Sequence, residues 1–243
     1  MITLIGTGHV FDLEDALQEI FQQKNPDVLC VELDKQRYHA LMMKQQDPEK
    51  YKQSAKKLPF LYRLLAQFQE NMAKRFGVSP GEEMIATIKY ARNYQIPLMC
   101  IDMHAQNLFS RMIKSMTIKE KTTFLFSGFA GLFVRAEKVE KQVENISKDL
   151  ESYLDLIGQK FPTIKKILID ERNMYMTNNI IKISENYQQI IAIVGDGHIP
   201  GMSEILKEKE IDHELVRLHE LQSMPKKEND QSTASFHVEY QQP

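Results

Sequence analysis

Ile2-Thr-Leu-Ile-Gly-Thr-Gly-His9, Asp12-Leu-Glu-Asp-Ala-Leu-Gln-Glu-Ile-Phe21 and Val28-Leu-Cys-Val31 follow one another at the start of the chain. The first and last are short apolar runs, and they read as buried strands. Between them Leu13, Leu17, Ile20 and Phe21 recur at helical spacing until Asn25-Pro26 stops the helix. Strand, helix and strand in so short a span make a βαβ unit, which requires parallel pairing and a sheet covered by helices. The fold class is therefore α/β, with a parallel or mixed central sheet.

Working outward, residues from Asp34 to about Phe76 are helical and charge-rich. Phe60, Leu61, Leu64, Leu65, Phe68, Met72 and Phe76 form one amphipathic stripe. Ser79-Pro-Gly-Glu82 predicts a helix with Ser79 as N-cap and Pro80 at its first position. Ile96–Ile101, Ile190–Val194 and His213–Leu218 read as further strands, with a short helix over Ile199–Lys207. Helical excursions are expected over about 47–78 and 105–187, the second broken near Gly128–Gly131 and at Phe161-Pro162. One domain spans 1–222, and the polar stretch 223–243 is expected to be disordered.

The chain has 243 residues, 42% of them hydrophobic and 26% charged, which suits a single packed domain. Lys plus Arg number 31 against 33 Asp plus Glu, and a net charge of −2 gives no field that would recruit nucleic acid. Two cysteines cannot build a disulfide framework, so a cytoplasmic location is expected. No run reaches the length of a membrane span, and no leader sequence is recognisable. Phe124–Val134 is apolar nearly all round, which fits a buried helix or a homo-oligomer contact better than peripheral membrane docking.

Setting Ile2–Leu17 over Ile191–Leu206 reveals a repeat in which five of sixteen positions are identical. Both copies propose a buried strand, a Gly-x-Gly-His turn and a helix. If the strands are parallel neighbours, His9 and His198 emerge together at the carboxyl edge, where open α/β sheets bind ligands. Gly6, Gly8, Gly195 and Gly197 would permit either a positive φ or the close approach of a ligand or neighbouring chain. Each histidine offers a metal-ligating nitrogen or an acid/base group near neutral pH. A dinucleotide site is the competing reading, but Phe11 and Pro200 stand where its third glycine belongs.

Glu32 follows the second strand at the same predicted edge, where it could ligate a cation or orient an imidazole. Asp34 fits the plainer role of capping the next helix. Asp170-Glu-Arg-Asn173 leads a helical run, in which Arg172 could hold a carboxylate or oxyanion and Asn173 could donate a hydrogen bond. Arg37 and Arg111 are further candidates for anion binding.

Taken together, Gly-Thr-Gly-His-Val10, Pro26–Asp34 with Arg37-Tyr38, Pro80-Gly-Glu-Glu-Met84, Asp170–Asn173 with Tyr175-Met176, and Val194–Gly201 resemble the TraB family, which is related to the Tiki and GumN proteins. The resemblance runs in order over residues 2–218. It implies an α/β fold of two related β-loop-α halves and, by similarity to Tiki proteins, a divalent-metal-dependent peptidase built on two Gly-x-x-His motifs. Carried onto this chain, Gly6 with His9 and Gly195 with His198 are joined by Glu32 and the Arg172-Asn173 pair. On that basis His9, His198 and Glu32 are expected to hold Mn²⁺, Co²⁺ or Zn²⁺, whose bound water would attack a peptide carbonyl. Arg172 would stabilise the oxyanion, Asn173 would position the carbonyl, and Glu171 is the reserve general base. Many relatives have Asp-Arg where this chain has Asp102-Met103, and longer relatives continue into membrane-spanning helices. The rival expectation is a non-catalytic protein that captures a peptide or small acidic ligand at the same edge.

Overall fold

A computed structural model describes residues 1–8, 13–55, 81–123 and 158–224. His9, the 60–76 stripe, the 124–134 segment and the tail from 225 lie outside the described residues.

Five strands form one parallel sheet: β1 (Ile2–Thr7), β2 (Val28–Val31), β3 (Leu98–Cys100), β4 (Ile190–Gly195) and β5 (His213–Val216), in the spatial order β3-β2-β4-β1-β5. All four residues of β2 and all but the last of β4 are buried, as strands covered on both faces must be. Helices α1 (Glu14–Lys24), α2 (Lys35–Gln46), α3 (Pro48–Ala55), α4 (Glu82–Asn93) and α5 (Ala105–Ser115) alternate with the first three strands or follow them. Further along the second excursion come α6 (Pro162–Lys165), a π turn (Lys166–Asp170) and α7 (Glu171–Ser184), then α8 (Ile199–Glu208) after β4 and α9 (Leu218–Ser223) after β5.

The helices that pack on the sheet divide between its two faces, while α5 and the π turn share a separate cluster of Leu108, Met112 and Ile167. Leu17 and Phe21 of α1 and Met84 and Ile88 of α4 pack on Ile5, Val31 and Ile193. Met176 and Ile180 of α7 and Met202 and Leu206 of α8 pack on Leu4, Cys30 and Ala192. This is the doubly wound arrangement, with β4 inserted between β1 and β2. The carboxyl ends of these three central strands frame the crevice in which such sheets place a site.

Several elements differ from the sequence-based expectation. Helix α4 starts at Glu82, with Gly81 rather than Ser79 as its N-cap; Gly81 has φ 84°, a left-handed conformation that favours glycine. Helix α1, by contrast, ends where Asn25-Pro26 was expected to stop it, with Asn25 as its C-cap at φ 45°. Strand β5 ends at Val216 because Arg217 caps α9, an element that the sequence reading passed over.

The repeat is real in its elements, but it is offset in the sheet. Ile2 pairs with Ile190, not with the Ile191 that the sequence alignment places opposite it. A one-residue offset exchanges the faces of a strand, so the two copies are turned over relative to one another and their helices cover opposite faces. The paired glycines consequently do different work. A side chain at Gly6 would run into the carboxylate of Asp196 and crowd Ile199, whereas one at Gly195 would face Glu32 and His198. Among the described glycines only Gly81 has positive φ, so close approach is what Gly6 provides.

Asp196 accepts two hydrogen bonds from Arg217, at 2.9 and 2.8 Å, and a third from the Leu218 amide at 3.0 Å. It therefore ties the second motif to the start of α9. Elsewhere, buried Glu120 forms a capping box with Thr117 and reaches across to the Thr163 amide and hydroxyl at 2.7 and 2.9 Å. That clasp joins two stretches of the second excursion that lie 43 positions apart.

Gly6→Ala should cost about 2 kcal/mol by displacing Asp196. In an Asp196→Ala background it should cost less, and urea unfolding of the four-member cycle should give a coupling above about 0.5 kcal/mol. Additive losses would show that Gly6 and Asp196 do not share this space.

Candidate functional site

Three strand exits and one helix start converge at the carboxyl edge. Glu32 is one residue past β2, Asp102 two past β3, and His198 three past β4. Arg172 and Asn173 begin α7, directly after the π turn, a local widening that often marks functional segments. Arg172 donates to the Leu168 carbonyl of that turn at 3.2 Å.

Arg172 is the hub. Its Nε and Nη2 meet both oxygens of Asp102 at 3.0 and 2.9 Å, a bidentate fork. Nη2 also donates to Oε1 of Glu32, and Nη1 meets Nε2 of His198 at 3.0 Å. Glu32 Oε2 accepts the Gly195 amide at 2.6 Å. A second guanidinium, Arg37, reaches the Glu32 carbonyl at 3.3 Å and Asp102 at 3.2 Å, and its side chain is 41% exposed. The described cluster thus sets two carboxylates against two guanidiniums, with Glu32, Asp102, Asn173 and His198 all buried.

Because a guanidinium can only donate, Nε2 of His198 must accept from Arg172. The ring proton then sits on Nδ1, which donates to Oδ1 of Asn173 at 2.6 Å. His198 is accordingly neutral, in the Nδ1–H tautomer. A side chain at Gly201 would collide with the Asn173 amide, so Gly201 is what lets Asn173 approach the imidazole. Neither this glycine nor Asp102 was among the predicted site residues. Gly201 could have been noticed as the last residue of the second motif, and Asp102 as the polar exit of the third strand.

Burial alone would raise the Glu32 carboxyl, but His198, the Arg172 guanidinium and the Gly195 amide outweigh it and hold Glu32 well below the usual carboxylate range. In the Nδ1–H tautomer the guanidinium on Oε1 and the Gly195 amide on Oε2 are the contacts that act in this direction. Burial acts on Arg172 in the opposite sense, yet Glu32 and Asp102 raise its affinity for its proton.

The structure brings together Glu32, Arg172, Asn173, His198, Gly195 and Arg37 of the predicted residues. The imidazole is oriented by Asn173 rather than by Glu32, which faces the other nitrogen at 3.5 Å. Glu171 takes Arg111 as its partner, and that pair stands apart from the Arg172 hub. Asp34 caps both α2, through the Gln36 and Arg37 amides, and the start of α5, through Ala105 at 3.0 Å. Gly8 lies just past β1 and Gly197 within the short 3₁₀ turn Asp196–His198. His9 is outside the described residues.

The donors can be tested against a divalent ion. Two ligand atoms each about 2.1 Å from one tetrahedral ion stand about 3.4 Å apart, and Glu32 Oε1 and His198 Nε2 are 3.5 Å apart. The pair fits, although Arg172 now bridges the same two atoms. Among the described residues no group of three or more His, Cys, Asp and Glu gathers, so a third protein ligand would have to come from elsewhere.

Long-range ¹H–¹⁵N spectra at neutral pH should show His198 protonated at Nδ1 and bare at Nε2, with that preference lost in Asn173→Leu; a proton on Nε2 in the wild-type chain would refute the assignment. Since Glu32 titrates in the folded chain below its unfolded value of about 4.3, its contribution to stability is whole above that value and drains away as pH falls below it. Urea unfolding between neutral pH and about pH 3 should therefore show a shallower acid loss in Glu32→Gln than in wild type; equal slopes would contradict the depressed carboxyl.

Residues 1–214 match the family model described as TraB/PrgY/gumN. An uncharacterized protein of Methanocaldococcus jannaschii is 31% identical over 214 residues, which cover 86% of this chain and 54% of that protein. The chain thus spans about half the length of that curated relative. Among the described residues no helix is long and apolar enough to cross a membrane. On the breadth of the family match and the identity to this relative, the chain belongs to the TraB/PrgY/gumN family.

Proposed function

We propose that the chain is a hydrolase of small peptides, with its centre at the carboxyl edge between β2 and β4. In this reading Glu32 and His198, joined by His9 of the first Gly-x-x-His motif, hold a divalent ion. The observation that carries it is the 3.5 Å spacing of Glu32 Oε1 and His198 Nε2, on an imidazole whose other nitrogen is locked by Asn173. Such a second partner fixes the tautomer and aims the ligating lone pair. What a bound Mn²⁺, Co²⁺ or Zn²⁺ supplies is a water acidified towards neutral pH, and mixed imidazole and carboxylate donors suit all three.

The remaining residues have roles that follow from their contacts. Arg172, aimed by Asp102, donates to the carbonyl oxygen as negative charge develops on it. Asn173 holds the His198 ring. Arg37, half-exposed at the rim and anchored on Asp102, can take a substrate carboxylate. The free thiols of Cys30 and Cys100 suit the cytoplasmic location that belongs to this reading.

A specific observation favours a second reading, that of a non-catalytic binder of peptides or small acidic ligands. Arg172 already satisfies the two donor atoms, and a site neutralised in this way can bind without reacting.

A peptide-library screen with added Mn²⁺ or Co²⁺ separates the two. Cleavage should appear with metal, and His198→Ala and Glu32→Gln should each lower it by about a hundredfold or more. If binding persists without cleavage, or if cleavage survives both substitutions, the hydrolase reading falls.

A further inference from the structure

We infer that Arg172 is a resident cation that keeps the Glu32–His198 pair closed, and that a divalent ion enters only as Arg172 withdraws onto Asp102. The inference rests on the hydrolase reading for one point, that this pair holds the ion. Three observations carry it. Arg172 Nη2 and Nη1 take the same two atoms, Glu32 Oε1 and His198 Nε2, that a metal would need. The tautomer leaves the ring a single lone pair at Nε2, and one lone pair cannot serve a guanidinium proton and a metal at once. The far edge of the guanidinium is already seated on Asp102 through Nε and Nη2, so on withdrawal Arg172 keeps a two-bond partner and is not left buried without a counter-charge.

Charge points the same way. A divalent ion at Glu32 would stand against the Arg172 guanidinium, and moving that guanidinium off Glu32 onto Asp102 lessens the repulsion between them. The proposed displacement makes metal entry and oxyanion recognition one event, because it uncovers the guanidinium donors that pointed at Glu32 and His198.

The test is calorimetric titration of the full chain with Mn²⁺ alone. Arg172→Met should bind Mn²⁺ at least about tenfold more tightly than wild type, and the gain should vanish in Glu32→Gln/Arg172→Met. Equal or weaker binding by Arg172→Met than by a wild-type chain that does bind would overturn the inference and leave the metal reading standing. Absence of binding in both would overturn both. A measurement on the wild type avoids any folding defect of the variant: on adding diamagnetic Zn²⁺, the Arg172 Nε–H and His198 Nε2 resonances should shift together. A His198 signal that moves while Arg172 stays fixed sinks the displacement.

Discussion

A guanidinium buried between two carboxylates and an imidazole is the constraint on which the carboxyl edge depends. Arg172 contacts the exits of β2, β3 and β4 at once, through Glu32, Asp102 and His198. An ion buried in this way costs several kcal/mol in lost hydration, which its partners must offset. Its partners leave three different strands, so one rigid, planar group holds the three loops in one geometry rather than merely near each other. The arrangement is better understood as a device for position than as a source of stability.

Positioning extends outward through contacts that only small or capping residues permit. Gly201 admits Asn173, Asn173 fixes the His198 ring, and the ring then presents one defined lone pair to the crevice. Gly6 admits Asp196, which in turn anchors Arg217 and α9. Asp34 draws the starts of α2 and α5 together, and so sets the rim that carries Arg37. Gly6 of the first motif and Gly201, three residues past the second histidine, are thus explained by the neighbours they admit.

Much of this could be read from the residues alone. The early βαβ unit, the apolar run Ile190–Val194 and the repeated motif are strong local signals, and they were enough for the fold class and for the common edge of Glu32 and His198. Asp34 as a helix cap was equally legible, because an N-cap needs only its own two following amides. The face exchange between the repeats was not, since register is decided by which helix covers which face and leaves no mark on a matched pair of motifs. The π turn before Glu171 has no compositional signature either. The role of Asp102 stayed hidden because a lone carboxylate gains meaning only from partners 65 and 70 positions away.

The Glu120–Thr163 clasp has a consequence for how this architecture can vary. It closes a loop whose ends lie 43 positions apart, and closing a longer loop is thermodynamically cheap, at about 0.6 kcal/mol for each doubling of its length. Glu120 and Thr163 can therefore keep their contact over a range of chain lengths between them. Insertion or deletion between these two residues is thus a change the clasp can absorb at small thermodynamic cost.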